Sequence, residues 1–422
     1  MFDRPASGER AILVHLSLQV GQEDLYELKE LAKSAGAEPV HVVTGSRQRP
    51  DPKFFVGKGK LEEIKSDIAF YEADIVLVNH SLTPSQERNL EQALEVRVVD
   101  RNGLILDIFA LRAQTFEGKL QVELAQLKHL STRLIRGWTH LERQKGGIGM
   151  RGPGETQLET DRRLLNNRIK QIQQRLAKVS KQRSQGRRKR KKSEIPSVSL
   201  VGYTNAGKST LFNTLTGADI YVANQLFATL DPTLRSCSLK NGSEIVLADT
   251  VGFIRHLPHE LVAAFRSTLQ EASEANLLLH VIDANAEDRD DTIYQVNQVL
   301  EHIDANEVQQ LQVFNKIDLL DNVEPHIDRD EAGIPIRVWM SAVTCAGSEL
   351  LFQALTEIFS STKVMRKCYL QPDQGGVRAS LFNYAKIIEE KNNDFGGWDL
   401  SIEIDKKHLG LLKSVKVEEI DE

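Results

Sequence analysis

The sequence contains a glycine-rich segment whose residue types and spacing could bind a polyphosphate. It reads Gly202-Tyr-Thr-Asn-Ala-Gly-Lys208-Ser209, which is the complete G-x-x-x-x-G-K-[ST] pattern. Glycines let the backbone curl so that successive N–H groups point at phosphate oxygens, and a following helix adds the positive end of its dipole. Lys208 is expected to reach the β- and γ-phosphates, and Ser209 to ligate Mg²⁺. Because strand-like residues 198–201 precede the motif and helix-like residues 210–215 follow it, a plain glycine-rich turn is the weaker interpretation.

Three shorter motifs follow, and each comes directly after an apolar run. In Asp249-Thr-Val-Gly252 the carboxylate can hold a Mg²⁺-bound water, and the Gly252 N–H can meet a γ-phosphate. In Asn315-Lys-Ile-Asp318 the Asp318 carboxylate can accept both N1–H and N2–H of guanine, whereas adenine offers no such donor pair. Ser341-Ala-Val343 can present a backbone N–H to the guanine O6. Four motifs in this order predict a GTP site.

Individual residues of these motifs have separate expected roles. Asn315 should brace the base and the phosphate loop, and the Lys316 stem should cover the base plane. Thr229 can complete the Mg²⁺ coordination when a γ-phosphate is present, with Thr233 as the alternative. The expected catalytic residues are Lys208, Thr229 and Gly252. The expected metal ligands are Ser209 and Thr229, with Asp249 acting through a bound water. The expected nucleotide-binding residues are Gly202, Tyr203, Thr204, Asn205, Ala206, Gly207, Lys208, Ser209, Thr210, Phe227, Ala228, Thr229, Leu230, Asp231, Asp249, Thr250, Val251, Gly252, Asn315, Lys316, Ile317, Asp318, Ser341, Ala342 and Val343.

The charge of the chain is distributed very unevenly. Its 422 residues are too many for one ordinary core and predict roughly two to four domains. The net charge is −5, but residues 119–192 hold 21 Lys and Arg against 5 Asp and Glu, so this segment carries +16 and the remainder −21. One strongly basic segment in an otherwise acidic protein indicates a polyanionic partner.

Composition also excludes several classes of protein. Cys237, Cys345 and Cys368 have no metal-ligand spacing, and their odd number and wide separation argue against a disulfide scaffold. The first residues lack the apolar segment of a signal peptide, and no apolar run approaches the roughly 20 residues of a membrane span. These features predict a soluble cytoplasmic protein with at most peripheral membrane contact. We also expect a monomer without a DNA partner.

The elements that must position the motifs follow from the apolar pattern. Residues 1–115 alternate strands and helices, which predicts an α/β domain with a largely parallel sheet. The basic, glycine-spaced stretch Lys53–Lys60 precedes a helix, and it either binds phosphate or, as the favoured alternative, is a plain loop that packs Phe54 and Phe55. The expected strands are 11–16, 39–43, 74–78 and 96–99, and the expected helices lie near 23–35, 60–72 and 84–95, the last with Thr83 and Pro84 at its start.

Residues 116–192 are expected to form an antiparallel helical hairpin, because two apolar seams recur at coiled-coil spacing on helices over 119–134 and 157–183. Ordinary amphipathic helices packed on a globular domain are the alternative. The seam residues are Leu120, Leu124, Leu127 and Leu134 on the first helix, and Leu165, Ile169, Ile172, Leu176 and Val179 on the second.

The connector of this hairpin is its unusual part. It holds five glycines and a proline over residues 146–154, with Arg143, Lys145 and Arg151 among them and Trp138 and His140 nearby. Glycine lets the backbone approach a crowded surface closely, and the cations favour phosphate groups. We therefore interpret the connector as a loop that inserts into RNA. A flexible linker is the alternative. The six consecutive cations of residues 187–192 are expected to be solvated, flexible and attracted to a nucleic-acid backbone.

The remaining residues predict two further domains. Apolar runs at 198–201, 244–248, 276–282, 310–314 and 337–340 indicate a doubly wound α/β sheet with its ligand loops at the carboxyl ends of the strands. Residues 400–404 alternate like a half-buried strand within a small α+β domain. The predicted domains are therefore 1–115, 116–192, 197–361 and 362–422.

The motif order, G-x-x-x-x-G-K-S, threonine, D-T-V-G, N-K-I-D and S-A, resembles that of a translation-factor-class P-loop GTPase. Residues 118–163, with the glycine-rich run Gly146–Gly154, narrow the resemblance to the HflX GTPase family over essentially the whole chain. The resemblance implies an N-terminal α/β domain, a helical hairpin, a G domain and a short C-terminal domain. It also implies that the chain binds the large ribosomal subunit and its RNA, with the glycine-rich loop near the peptidyl transferase centre, and splits or rescues stalled ribosomes under stress. ATP as a second nucleotide in the N-terminal domain is suggested as well, with Gly57–Lys60 as its weak candidate site.

One residue departs from the pattern of small GTPases. Phe253 follows Gly252 where many GTPases place a glutamine that orients the attacking water. Because a phenyl ring cannot do this, hydrolysis should be slow in the isolated protein and should depend on a partner; the family resemblance implies that ribosomal particles supply the stimulation. His256 could approach the water, although a surface-loop histidine is the favoured interpretation.

Overall fold

Three β-sheets are present in the part of the chain that the computed structural model describes. The described residues are 8–18, 24–137, 153–192, 195–217, 226–227, 229–230, 232–239, 241–255, 266–360, 363–393, 396–405, 410–412 and 415–419. Within them, no helix combines the length and the apolar character that crossing a bilayer requires.

The first sheet has four parallel strands in the order β2-β1-β3-β4. Its strands are β1 (Arg10–Leu18), β2 (Glu38–Arg47), β3 (Ile75–Val78) and β4 (Arg97–Asp100), and its helices are α1 (Leu25–Ser34), α2 (Lys58–Tyr71), α3 (Pro84–Leu94) and α4 (Arg101–Arg112). Helices cover both faces of the sheet, so β3 is apolar and buried at every position. The predicted parallel α/β domain is confirmed.

Local capping explains where these helices begin. Thr83 is the N-cap and Pro84 lies at the start of α3, as the Thr-Pro pair predicted, and Gln86 completes a capping box with Thr83. Helix α4 was missed, because Asn102-Gly103 reads as a turn. The carboxylate of Asp100, at the end of β4, accepts the Gly103 N–H and starts the helix instead.

A long helical hairpin follows, made of α5 (Phe116–Gly137) and α6 (Pro153–Lys192). The predicted seams meet, because Leu120, Leu124 and Ile172 form a buried cluster lined by Leu127, Ile169 and Leu176. Helix α6 extends nine residues beyond its predicted end at 183, so the backbone of the basic run is helical; Lys and Arg are good helix formers. Residues 138–152 of the glycine-rich connector, which include Trp138, His140, Arg143, Lys145 and Arg151, lie outside the described residues, whereas Pro153 and Gly154 begin α6.

The second sheet has seven strands in the order β10-β11-β9-β8-β5-β7-β6. The five central strands are parallel, and β10 and β6 pair antiparallel at the two edges. These edge strands were not predicted, because they are short and partly exposed. The strands are β5 (Ser197–Val201), β6 (Thr233–Ser238), β7 (Glu244–Asp249), β8 (Leu277–Asp283), β9 (Gln310–Asn315), β10 (His326–Arg329) and β11 (Pro335–Trp339), and the helices are α7 (Lys208–Thr216), α8 (Arg266–Ser273), α9 (Arg289–His302) and α10 (Ser348–Ser360).

The third sheet is antiparallel and confirms the small α+β domain. Its order is β13-β14-β12-β15, and Leu381 of a helix packs on its apolar face with Leu400 and Ile402. The strands are β12 (Lys363–Leu370), β13 (Ala385–Asn392), β14 (Trp398–Asp405) and β15 (Lys416–Glu419), and the helix is α11 (Gly375–Tyr384).

Candidate nucleotide-binding site

The phosphate loop connects β5 to α7 and holds two glycines that no other residue could replace. Gly202 has φ +147° and Gly207 has φ +94°, both in the region that favours glycine. A Cβ on Gly202 would collide with the Val281 carbonyl, and a Cβ on Gly207 would collide with the Asn315 amide nitrogen. The loop is therefore tight against the neighbouring strands β8 and β9, which fixes its curvature.

Lys208 is held inside the loop, with 6% of its surface exposed. Its Nζ donates to the carbonyls of Gly202, at 3.1 Å, and Tyr203, at 2.6 Å. An ammonium has three donors, so one remains for a ligand. Burial lowers the pKa of Lys208 to about 8, since the low-dielectric surroundings disfavour the charged form. A phosphate bound beside Lys208 would favour the charged ammonium and so offset the effect of burial.

Three oxygen atoms from three segments converge beside the loop. Ser209 Oγ lies 2.8 Å from Thr229 Oγ1, and both hydroxyls donate to Asp249 Oδ2, at 2.8 and 2.9 Å. Burial raises the pKa of Asp249, and its other oxygen, Oδ1, is buried without a hydrogen-bond partner in the described part of the chain. Hydroxyl and carboxylate oxygens with an orphaned acceptor suit a hard cation such as Mg²⁺. Thr233 instead begins β6 and pairs through its backbone with Asp249.

The segment after β7 runs alongside the phosphate loop. A Cβ on Gly252 would stand 3.0 Å from Lys208 Nζ and 2.8 Å from Thr204 Cγ2, so only glycine fits there without a shift. Phe253 forms a backbone bridge to the loop, because its N–H donates to the Gly202 carbonyl, at 3.1 Å, and its carbonyl accepts the Thr204 N–H, at 2.7 Å. Its side chain is 2% exposed and lies in a core cluster with Val201. The ring therefore cannot orient a water, as the sequence predicted.

The two base-recognition motifs are tied to the phosphate loop by one side chain. Asn315 Nδ2 donates to the Ala206 carbonyl, at 2.9 Å, and Asn315 Oδ1 accepts the Ala342 N–H, at 2.8 Å. Asn315 is 2% exposed. Asp318 lies in the short 3-10 helix Ile317–Leu319 and is exposed, and it makes no hydrogen bond to any other described residue. Its carboxylate is therefore available to a ligand.

Other predicted residues have mainly structural positions. The Thr250 hydroxyl donates to the Leu200 carbonyl, at 2.6 Å, and Ile317 packs in a small core cluster. Phe227 and Leu230 pack against the N-terminal domain, where the Phe227 ring meets Phe109 edge-to-face with centroids 4.6 Å apart. Further sequence candidates lie outside the described residues: Ala228, Asp231 and His256.

Sequence reasoning missed two groups of residues near the site. Asp283, at the end of β8, accepts from Lys316 Nζ, at 2.7 Å, and so fixes the lysine expected to cover the base. Asp283 follows an apolar run as Asp249 does, so the rule that located the other motifs would have found it. Glu27 and Arg101 of the N-terminal domain approach the site from elsewhere in the chain, and no local pattern marks them.

The predicted alternative phosphate stretch, Gly57–Lys60, forms the start of α2. Gly57 is the N-cap without a side-chain hydrogen bond, and Lys60 pairs with Glu63 at 2.7 Å. This lysine is thus engaged within its own helix, which weakens the case for a phosphate there.

Comparisons with known proteins cover most of the chain. A family model described as GTP-binding GTPase N-terminal matches residues 22–110, one described as GTP-binding GTPase Middle Region matches residues 112–190, and one described as 50S ribosome-binding GTPase matches residues 197–316. The chain is 59% identical to the GTPase HflX of Escherichia coli strain K12, and the 404 matched residues cover 95% of each chain. It is 49% identical over 394 residues to the GTPase HflX of Caldanaerobacter subterraneus subsp. tengcongensis, covering 92% of this chain and 89% of that one. Among solved structures, SsGBP in complex with GDP aligns with a TM-score of 0.49 at 27% identity, over 83% of this chain and 98% of that chain.

Proposed function

Because the chain belongs to the HflX family of GTPases, we propose that it uses Mg²⁺-dependent GTP hydrolysis to bind the large ribosomal subunit and to split or rescue stalled ribosomes under stress. The observation that carries the ribosomal part is the match of residues 197–316 to a family model described as a 50S ribosome-binding GTPase. The basic charge of residues 119–192, at +16, supports ribosomal RNA as the contacted surface.

The proposed roles in the nucleotide site follow from the positions of the side chains. The third donor of Lys208 and the loop N–H groups from Asn205 to Ser209 stabilise charge on the phosphates. Ser209 and Thr229, whose hydroxyls meet at the Asp249 carboxylate, would hold Mg²⁺, and Asp249 would act through a bound water. When bound, the ion would neutralise negative charge on the phosphates.

Guanine is proposed to lie between the two base-recognition motifs. Asp318 accepts the N1–H and N2–H of the base, the Ala342 loop faces O6, and Lys316 covers the ring. GTP is the one nucleotide proposed, because no comparison supports ATP and Lys60 of the N-terminal domain is paired with Glu63.

The hydrolytic step needs help from outside the isolated chain. Since Phe253 is buried in a core cluster, nothing at that position can orient the attacking water. The large subunit is proposed to supply or order the missing group, so the ribosome would act as both target and activator.

The test is GTP turnover with and without purified large subunits. The unmodified chain should be slow alone and strongly stimulated by large subunits, whereas deletion of residues 146–154 should abolish the stimulation and leave the basal rate intact. Lys208→Ala is the control that should lack turnover in every condition. An absence of stimulation in the unmodified chain would refute the ribosomal proposal. A parallel sedimentation assay of intact ribosomes, with GTP or GDP, tests splitting.

A further inference from the structure

The segment that follows the Gly252 motif is hydrogen-bonded by side chains from two domains. The backbone of Arg255 lies between the side chains of Glu27, Arg101 and Tyr203, a group we name the Arg255 clamp. Glu27 and Arg101 belong to α1 and α4 of the N-terminal domain, whereas Tyr203 belongs to the phosphate loop. The clamp therefore joins the N-terminal domain, the phosphate loop and the γ-phosphate segment.

Both polar groups of the Arg255 backbone are engaged. Its N–H donates to the Tyr203 hydroxyl, at 3.0 Å, and its carbonyl accepts from Arg101 Nη2, at 3.0 Å. The Tyr203 hydroxyl in turn donates to Glu27 Oε1, at 2.7 Å, and Arg101 Nη2 donates to Glu27 Oε2, at 2.9 Å. Arg101 Nη1 donates to Asn79 Oδ1, at 2.9 Å, which fixes the guanidinium from its own domain.

The clamp is largely shielded from water. Arg101 is 2% exposed and Glu27 is 6% exposed. A buried ion pair is expensive to break, because separation leaves an uncompensated charge in the interior. Burial and the Glu27 carboxylate raise the pKa of Tyr203 well above its usual range, so the hydroxyl remains a donor. These bonds therefore hold the Arg255 backbone in one position.

The position of the Arg255 backbone constrains the nearby Gly252, because only two residues separate them in the chain. Arg255 is three residues from Gly252, and the intervening Phe253 is bridged to Gly202 and Thr204 of the phosphate loop. The segment that leads to Thr229 also contacts the N-terminal domain, because the Leu226 N–H donates to Ser34 Oγ of α1 at 3.0 Å. Both segments that would meet the γ-phosphate and its Mg²⁺ thus rest on the N-terminal domain.

We propose that Glu27, Arg101 and Tyr203 are positioning residues that hold the Gly252 segment where its N–H meets the γ-phosphate, so that the N-terminal domain sets the preference for GTP over GDP. The inference rests on the proposed nucleotide site and adds a determinant outside the G domain. GDP lacks the γ-phosphate and gains nothing from Gly252, so the clamp should act on GTP alone. A structural element can favour one ligand only by the difference in its interaction with the two bound states.

The sharpest test removes a single hydroxyl. Tyr203→Phe keeps the ring in place and deletes the bonds to Glu27 and to the Arg255 N–H. We expect the affinity for a non-hydrolysable GTP analogue to fall about fivefold, which corresponds to the one lost hydrogen bond that holds the Arg255 backbone, and the affinity for GDP to stay within about twofold. Both are measured by titration with fluorescent nucleotides at saturating Mg²⁺.

A second variant tests the clamp from the N-terminal domain. Replacing both members of a buried ion pair by apolar residues of similar size is often tolerated, so the double substitution Glu27→Leu with Arg101→Met should fold. It should lower the ratio of analogue affinity to GDP affinity at least as much as Tyr203→Phe does. The matched control, Arg97→Met with Asp107→Leu, removes an ion pair of the same domain and should leave the ratio unchanged.

The measurements distinguish a failure of the Arg255 clamp from a failure of the proposed nucleotide site. An unchanged or increased ratio in both clamp variants, with GDP still bound, would overturn the clamp and leave the nucleotide site standing. Failure of the unmodified chain to bind GDP would contradict the proposed nucleotide site and the inference with it.

Discussion

Substitution of Asn315 by alanine should weaken nucleotide binding by a predictable amount. The side chain makes two bonds, to the Ala206 carbonyl at 2.9 Å and from the Ala342 N–H at 2.8 Å, and both partners are 2% exposed. A hydrogen bond contributes about 1 kcal/mol net, so the two together are worth about 2 kcal/mol. Because they join the phosphate loop to a base-recognition loop, most of this loss should appear as binding energy. The expected fall in GDP affinity is about 30-fold.

Two measurements check this value. Titration with a fluorescent GDP analogue gives the affinity, and hydrogen exchange of the peptide that contains Ala342 reports the local loss. The Ala342 N–H loses its acceptor, so its exchange should accelerate about fivefold or more.

Asn276→Ala is the matched control, because Asn276 bonds the start of β5, at the opposite end of the sheet from the nucleotide loops. Asn276 also accepts a backbone N–H, that of Ser197 at 2.9 Å, but this bond is exposed and lies away from the loops. Asn276→Ala should therefore leave the affinity within about twofold, because water replaces the lost partner. If Asn315→Ala bound GDP as well as Asn276→Ala does, the proposed tie between the loops would be refuted.

Three further substitutions separate the roles proposed for single side chains. Asp318→Asn should lower GTP affinity by at least about 100-fold and raise that for XTP, because charge-assisted bonds to the base are lost; unchanged GTP affinity in a competition titration would remove the assignment. Thr229→Ala should raise the Mg²⁺ concentration for half-maximal turnover on the order of tenfold, whereas Thr233→Ala should not, and the reverse order would transfer the role to Thr233. Asp283→Asn should weaken GDP binding about threefold through the loss of the partly exposed pair with Lys316, an effect that 1 M salt should remove in the parent protein. An equal effect at high salt would contradict an electrostatic role.

The nucleotide motifs could be predicted because their signals are local. A glycine with positive φ, a lysine and a serine in fixed order specify the phosphate loop, and strands at the expected places bring Asp249 and Asn315 to the same edge of the sheet. The consequence that Phe253 cannot orient a water also followed from residue type alone.

Features that depend on contacts between distant segments could not be predicted. Phe227 was expected to contact the nucleotide and Leu226 was not singled out, yet both complete a hydrophobic cluster with residues of the N-terminal domain more than a hundred positions away. Helix α4 was missed for a local reason: Asn102-Gly103 reads as a turn, although the Asp100 carboxylate at the end of β4 starts a helix there. The edge strands β6 and β10 carry too few apolar residues to stand out, since only one side of each is covered.

The hydrophobic cluster between the two domains has a practical consequence for dissecting the protein. Leu226, Phe227, Leu230 and Ile254 are each 7% exposed or less in the whole chain, because residues of the N-terminal domain cover them. A G domain expressed alone would expose these side chains to water as a contiguous apolar patch. Such a fragment should self-associate or rearrange its nucleotide-contacting segments, so a difference in its turnover would report lost solubility as much as lost regulation. Substitutions within the full-length protein avoid this ambiguity.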